Sequence, residues 1–300
     1  MREKAPLFSV IIPVYNDWEV LRHCLKALEV QSLTKDEFEV IVVNNRSEPE
    51  LPESMSLPGN VSLMHQPIPG SYAARNLGAW AASGSILAFT DADCIPDPRW
   101  LEYARNHFQN GDCDMIAGRV KIFRKPHGSR MVYAYEKKYL FRQDENAEKG
   151  ESATANLFVR RHLFEEAGGF DASIKSMGDL EFTRRCTEAG NRMLYGEKVT
   201  IRHPARTSVG LFLKRKYRVM CWKKIHRERD HGHTSLYTNI RTALIQLLLG
   251  LKKSLTRRSL SGKISDTARI RCLTFMITFF ELFVRIGLMT GLERPERIRE

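Results

Sequence analysis

Ile86-Leu87-Ala88-Phe89-Thr90-Asp91-Ala92-Asp93 is the stretch that decides the fold. Five residues of a buried-type strand run directly into two carboxylates one residue apart. In an open α/β sheet, ligands bind just outside the carboxyl ends of the strands. Carboxylates placed there repel an anionic substrate unless a hard divalent cation neutralises them, and Mg²⁺ is held by one or two carboxylates together with substrate phosphates. The spacing therefore points to a metal–diphosphate site. An isolated acidic pair after a strand also reads as plain loop or N-cap residues, so the flanking sequence has to choose between the two.

Upstream, Phe8–Val14 is apolar and β-branched, and Asn16-Asp17 can cap a helix whose apolar face is Leu21, Cys24, Leu25 and Leu28. That is the helical spacing i, i+3, i+4, i+7. Phe38–Val43 reads as a second buried strand and Val61–Met64 as a weaker third, beyond the Pro/Ser/Glu-rich stretch Ser47–Gly59. Ala73–Ser83 is helical in pattern and Gly84 ends it. Short apolar runs alternating with amphipathic helices predict an α/β fold: a mostly parallel, twisted sheet with helices on both faces. No Gly-x-Gly-x-x-Gly follows the first strand and no Gly-Lys-Ser/Thr loop appears, so the dinucleotide-fingerprint and P-loop readings lose their usual support. Downstream lie strand-like Met115–Phe123, a charged segment Lys125–Ser152, a helix over Asp179–Ala189 ended by Gly190, and strand-like Lys198–Arg202.

Six scattered cysteines without Cys-x-x-Cys spacing argue against a disulfide framework and against a zinc site. Met1–Lys4 leads straight into Phe8–Ile12, an apolar run too short for a secretory signal, and the cytosol is the expected address. The net charge of +12 is unevenly spread. Between Leu211 and Cys272 sixteen Lys/Arg face only Glu228, Asp230 and Asp266, a local net charge of +13. The partner of that stretch is expected to be an anionic surface.

Four segments then fall into a recognisable order: Ser9–Asn16; Ile41–Ser47; Ala74-Arg75-Asn76-Leu77-Gly78 followed by Asp91-Ala92-Asp93; and Gly168-Gly169-Phe170-Asp171 leading to Gly178-Asp179-Leu180-Glu181-Phe182 and His203. Over residues 7–206 the chain resembles the family 2 inverting glycosyltransferases of the nucleotide-sugar-binding GT-A fold. The resemblance implies that Pro13, Tyr15 and Asn16, with Asn44 and Asn45, hold the base and ribose of a nucleoside-diphosphate sugar. UDP is the expected nucleotide, with GDP and TDP as alternatives. Asn44 departs from the Asp usual there, which puts the base that is read in doubt. Tyr15 also reads as a packing residue in a turn. By the same resemblance Arg75 meets the diphosphate or the acidic turn, and Asp91, Ala92 and Asp93 line the donor. Asp93 ligates Mg²⁺ or Mn²⁺, Asp91 lies near ribose and metal, and His203 adds a metal contact, a lone structural histidine being the other reading. Asp179 is the general base, with a simple helix N-cap as its alternative. Glu181 and Arg185, four residues apart, form a pair that stabilises the helix.

The composition changes at Thr207. Residues 1–207 are expected to form the catalytic domain, with a nucleotide-binding half (1–125) and an acceptor half (126–207), and 208–300 a basic, amphipathic helical extension. Leu273–Leu292 spans about 30 Å as a helix, enough for a bilayer core. Its eleven Leu/Ile/Phe/Val favour insertion by roughly 3–7 kcal/mol and two central charges oppose it by roughly 5–7 kcal/mol. Thr274, Thr278, Glu281 and Arg285 draw one polar stripe along it. A helix lying in the membrane interface, or packed with its stripe on protein, is therefore favoured over a span, and a soluble helical subdomain is the alternative. Ala243–Leu251 is too short to cross. The basic stretch adds attraction to anionic headgroups. The sequence thus predicts a cytoplasmic enzyme held peripherally on the inner face of the plasma membrane. It would move sugar to a saccharide or lipid-linked acceptor in cell-envelope or extracellular polysaccharide and glycolipid synthesis. Two rivals stand beside it: a catalytically inactive nucleotide-sugar-binding or scaffold relative, and a nucleic-acid-binding protein using the basic tail. Against the last, only Tyr217, Trp222 and Tyr237 are interspersed with the tail's basic residues, and no nucleic-acid partner is expected.

Overall fold

Phe8–Val14 (β1) and Ile86–Thr90 (β4) have almost no polar face, so both sides of each strand must be covered. They lie side by side and in parallel at the centre of the sheet, with Ile11 opposite Phe89. The computed structural model describes residues 5–53, 55–231 and 266–289. In chain order the remaining elements are α1 (Trp18–Glu29), β2 (Phe38–Asn44), β3 (Val61–His65), α2 (Ser71–Ala81), β5 (Ile95–Pro96), α3 (Trp100–Gln109), β6 (Met115–Phe123) and α4 (Arg130–Tyr139). They continue with α5 (Gln143–Ala147), β7 (Asn156–Arg160), α6 (Arg161–Glu166), α7 (Gly178–Glu188), β8 (Met193–Pro204), α8 (Val209–His231) and α9 (Asp266–Met289).

Among the described residues the sheet has eight strands in the order β3-β2-β1-β4-β7-β6-β8-β5. The period-2 alternation of the strands sorts their side chains into two cores. Val10, Ile12, Val40 and Val42 pack with Leu21 and Leu25 of α1 and with Trp100 and Phe158. Ile11, Ile41, Val43, Leu87 and Phe89 pack with Phe164, Phe170 and Phe182. The parallel part is β3-β2-β1-β4. Beyond β4 the pairings β4–β7, β7–β6 and β5–β8 are antiparallel, a feature the apolar pattern could not carry because a buried run reads the same in either direction. The charged segment Lys125–Ser152 contains α4, capped by the Ser129 hydroxyl accepting from the Val132 N–H at 3.3 Å, and the short α5.

The chain divides into two units. The first comprises the residues up to Lys121 with Phe141–Pro204, and the second Ile122–Leu140 with the chain from Ala205 onward. In the second, Val132, Phe212, Leu273 and Ile277 form one apolar cluster, and Cys221 and Val284 another. Glu136 is buried there and accepts from the Arg206 backbone N–H at 2.9 Å and its guanidinium at 2.7 Å. Of the apolar run Leu273–Leu292, α9 covers the part up to Met289; the rest, and Ala243–Leu251, lie outside the described residues. No helix among the described residues is long and apolar enough to cross a membrane.

One buried side chain joins four elements of the first unit. Asn156 accepts from the Trp100 indole N–H at 2.9 Å and donates to the carbonyls of Arg119 and Val199, both at 2.9 Å. Gly118 makes room for it, since a Cβ there would lie 2.3 Å from its amide. Asn156→Ala leaves three buried polar groups unpaired, and the expected loss of stability is about 3 kcal/mol or more. A urea-unfolding midpoint unchanged from wild type would contradict that count.

Candidate active site

The carboxyl ends of β2, β1 and β4 are neighbours, and the first group of candidate residues sits on them. Val14 pairs with Asn44, and the Asn45 N–H donates to the Val14 carbonyl at 2.9 Å. Asn16 adopts φ 56°, a left-handed conformation asparagine tolerates. Its N–H donates to the Ser47 hydroxyl at 2.9 Å and its Oδ1 accepts from the Glu48 N–H at 2.8 Å. Asn44 is buried, with Oδ1 accepting from the Ser47 N–H at 2.8 Å. Asn45, also buried, donates to the carbonyls of Gln66 (3.1 Å) and Ile68 (2.7 Å) and accepts from the Gly70 N–H (2.7 Å). Both asparagines at the end of β2 are thus engaged in shaping loops, 44–47 and 66–70. Pro13 is half-buried, and Tyr15, 48% exposed, is the ring this edge presents.

The acidic turn follows β4, closed by the Cys94 N–H donating to the Asp91 carbonyl at 3.0 Å. Ala92 is buried, while the Asp91 and Asp93 side chains are 31% and 36% exposed. Asp91 is in direct ion-pair contact with Arg75, a guanidinium only 5% exposed whose Nε is buried without a hydrogen-bond partner. His203, at the end of β8, is buried, with Nε2 3.5 Å from the Asp93 carboxylate. Its Nδ1 lies 2.8 Å from the Pro204 carbonyl, which can only accept, so Nδ1 carries the proton. That bond fixes the ring's orientation and turns Nε2 toward the Asp93 carboxylate.

Among the described residues, Asp91, Asp93 and Cys94 form a group whose ligand atoms lie within 4.8 Å of one another. Burial, and then the charges of Asp93 and Asp91, push the Cys94 thiol well above its usual range. It remains a neutral thiol, a poor ligand for a hard ion. The two partly open carboxylates are the oxygen donors of this group that suit Mg²⁺ or Mn²⁺, and His203 Nε2 lies 3.5 Å from one of them.

Asp179 stands in the first turn of α7 but does not cap it. The cap position is Met177, held at φ 68°, and it makes no side-chain capping bond. Instead the Asp179 carboxylate accepts from the Tyr72 hydroxyl at 3.0 Å, the Thr154 N–H at 3.2 Å and the Leu180 N–H at 3.1 Å. Residue 178 must be glycine, because a Cβ there would fall 2.8 Å from the Tyr72 ring. Tyr72 and Arg75 lie three residues apart on α2, with the guanidinium 5.6 Å from the ring centroid. A continuous line of contacts therefore runs Asp179–Tyr72–Arg75–Asp91. Burial, and then the Asp179 charge, push the Tyr72 phenol well above its usual range, so it stays a hydrogen-bond donor at ordinary pH.

The shared motifs interlock. Asn76 donates to the Phe170 carbonyl at 2.8 Å and accepts from the Phe170 N–H at 2.9 Å, which fastens α2 to the loop before α7. Gly78 lets α2 approach β1 and β2, where a Cβ would meet Ile11 at 2.8 Å and Val43 at 3.0 Å. Glu181 pairs with Arg185 at 2.9 Å, and Arg185 also donates to the carbonyls of Ala167 and Gly169, so the pair clamps the Gly168-Gly169 turn as well as the helix. Sequence reasoning missed Tyr72 and Thr154. The signal for Tyr72 was its position one helical turn before Arg75; for a backbone N–H such as that of Thr154 there was none.

Residues 9–167 match the profile of glycosyl transferase family 2. The chain belongs to that family. It is a glycosyltransferase, 37% identical over 225 residues to glycosyltransferase AglE of Haloferax volcanii, a match covering 73% of each chain. It is also 29% identical over 220 residues to the pre-mycofactocin glycosyltransferase of Mycobacterium tuberculosis, across 69% of this chain and 45% of that one. The mannosyltransferase PcManGT of Pyrobaculum calidifontis, solved with GDP-Man and Mn²⁺, shares the fold at a TM-score of 0.55 and 16% identity, over 96% of this chain and 75% of that one. TarS 1–349 of S. aureus, solved with UDP-GlcNAc, does so at 0.51 and 16% identity, over 95% of this chain and 92% of that one. The architecture is that of the GT-A glycosyltransferases.

Proposed function

We propose that this glycosyltransferase is inverting and divalent-cation-dependent, and moves a sugar from a nucleoside-diphosphate donor to an acceptor hydroxyl. The line of contacts Asp179–Tyr72–Arg75–Asp91 carries the reading, because it fixes one carboxylate relative to the acidic turn through a single helix. The donor base and ribose lie against Pro13, Tyr15 and Asn16, with Asn44 and Asn45 shaping that edge. Arg75 and the turn Asp91-Ala92-Asp93 receive the diphosphate end. Asp91, Asp93 and His203 hold Mg²⁺ or Mn²⁺, which when bound supplies Lewis-acid stabilisation of the departing diphosphate. Asp179 takes the proton of the acceptor hydroxyl as its oxygen attacks the anomeric carbon, and the bond to the diphosphate breaks on the opposite side with its electron pair. One displacement inverts the configuration. UDP or GDP as the nucleotide agrees with the ligands of TarS and PcManGT, with TDP a third option.

A saccharide or lipid-linked acceptor for cell-envelope or extracellular polymer synthesis fits a protein that rests peripherally on the inner face of the plasma membrane, and one face of α9 supports that placement. Leu273, Ile277 and Val284 are buried in the second unit, Glu281 lies 4.0 Å from Lys216, and the Thr274 and Thr278 hydroxyls bond to carbonyls one turn back. The opposite side presents Phe275, Met276, Phe279 and Phe283, the last two 61% and 67% exposed. Apolar rings beside a +13 stretch fit an anionic lipid interface.

Three measurements test this function. A thermal-shift screen of UDP, GDP and TDP with and without Mn²⁺ should give a cation-dependent stabilisation that Asp93→Ala removes; a cation effect that survives Asp93→Ala counts against the metal site. Asp179→Asn should lower transfer by about a hundredfold or more while leaving that stabilisation nearly intact, and strong residual transfer would refute the base. In flotation with phosphatidylglycerol vesicles, the Phe279→Ser/Phe283→Ser protein should stay with the soluble fraction while wild type floats. Equal flotation of both, or a wild-type dimer that the change splits, sinks the lipid assignment.

A further inference from the structure

Asp179 carries three hydrogen bonds that are unevenly shared. Oδ1 accepts twice, from the Tyr72 hydroxyl at 3.0 Å and the Leu180 N–H at 3.1 Å, whereas Oδ2 accepts once, from the Thr154 N–H at 3.2 Å. A carboxylate oxygen offers about two lone pairs. Oδ1 is therefore saturated, and Oδ2 keeps a lone pair for an incoming proton. Donors on both oxygens, from α2 and from the segment before β7, also fix the plane of the group, which a lone aspartate in a first helical turn would not have.

Tyr72 is built to hold that bond. It is buried, its ring packs on Phe170 at 5.5 Å and beneath Gly178, and the Arg75 guanidinium sits over it at 5.6 Å. Its phenol, pushed upward by burial and by the neighbouring carboxylate, keeps its proton throughout the ordinary pH range. The buried hydroxyl donates to Asp179 Oδ1, and the packed ring fixes where that bond can be made. Arg75, in contact with Asp91, ties the same helix to the acidic turn.

We propose that Tyr72 is the positioning residue of the transfer reaction, holding Asp179 by Oδ1 so that Oδ2 takes the acceptor's proton. The proposal rests on the reading of Asp179 as the base. Its hydroxyl acts through the carboxylate it bonds, so the contribution of that hydroxyl belongs to turnover and not to donor affinity.

The test uses the full chain and Mn²⁺-dependent consumption of UDP-N-acetylglucosamine or GDP-mannose. Tyr72→Phe keeps the ring and removes the hydroxyl; turnover is expected to fall about tenfold with donor KM and melting temperature unchanged. In Asp179→Asn the same change should cost nothing further, because two residues acting as one unit are not additive. Wild-type turnover in Tyr72→Phe, or a loss of KM and melting temperature in parallel with kcat, overturns the proposal while leaving the base assignment standing. Full turnover in Asp179→Asn overturns the base assignment itself, and the role of Tyr72 with it. A readout independent of substrate is the ¹³Cζ resonance of Tyr72, assigned by its disappearance in Tyr72→Phe or, if that variant does not fold, in Tyr72→Trp. It should move in Asp179→Ala, and a resonance indifferent to that change would show that the hydrogen bond is absent in solution.

Discussion

Arg75 and Asp91 form the contact on which the rest of the site depends. A guanidinium is not left buried without an anion, since removing one partner of such a pair costs about 3–5 kcal/mol. Asp91 supplies that anion from the end of β4 and so binds α2 to the acidic turn. The position of α2 is constrained three times over: by this ion pair, by Gly78 against β1 and β2, and by Asn76 against the backbone of Phe170. With the helix so held, Tyr72 has one place for its hydroxyl, and Asp179 has one donor it cannot avoid. The geometry of the Asp179 carboxylate is thus inherited from the packing of a helix to which it does not belong.

The same dependence on long-range packing explains which parts of the site were legible in the sequence. Strands β1, β2 and β4 were, because seven- and five-residue apolar runs buried on both faces have few other fates. The placement of Asp91 and Asp93 was, because it is local: two carboxylates directly after a strand. The antiparallel β7 was not, since its five residues carry no mark of direction, and α4 lay hidden in a segment read only as charged. The Tyr72–Asp179 bond joins residues 107 apart, and no periodicity encodes a contact at that range. Asn45 was legible as a strand-end residue, but not the use of its side chain. Both ends of its amide are engaged by the 66–70 loop, so it acts on this edge through the backbone it shapes.

His203 illustrates how a second neighbour gives a side chain its meaning. From sequence it is one imidazole at the end of a strand. In the fold, the Pro204 carbonyl engages Nδ1 and so turns Nε2 toward the Asp93 carboxylate, 3.5 Å away. Phe141 lies against the ring at 4.9 Å and limits its rotation. The buried Cys94 beside the same carboxylates is held in its neutral form by burial, which leaves oxygen and imidazole nitrogen as the donors a hard cation would meet.

Displacement at an anomeric centre makes two demands that pull apart: negative charge must be neutralised on the leaving side, and a proton must be removed on the attacking side. A single cluster of carboxylates would serve neither well, because a cation strong enough to hold the diphosphate also weakens any base that shares it. Here the two carboxylates after β4 and the one in α7 stand on separate elements, and what connects them is neutral or positive, a phenol and a guanidinium. Tyr72 and Arg75 therefore set the position of the acidic groups without adding to their mutual repulsion. In the proposed reaction, a short helix with one residue turned toward each side would serve both demands at once.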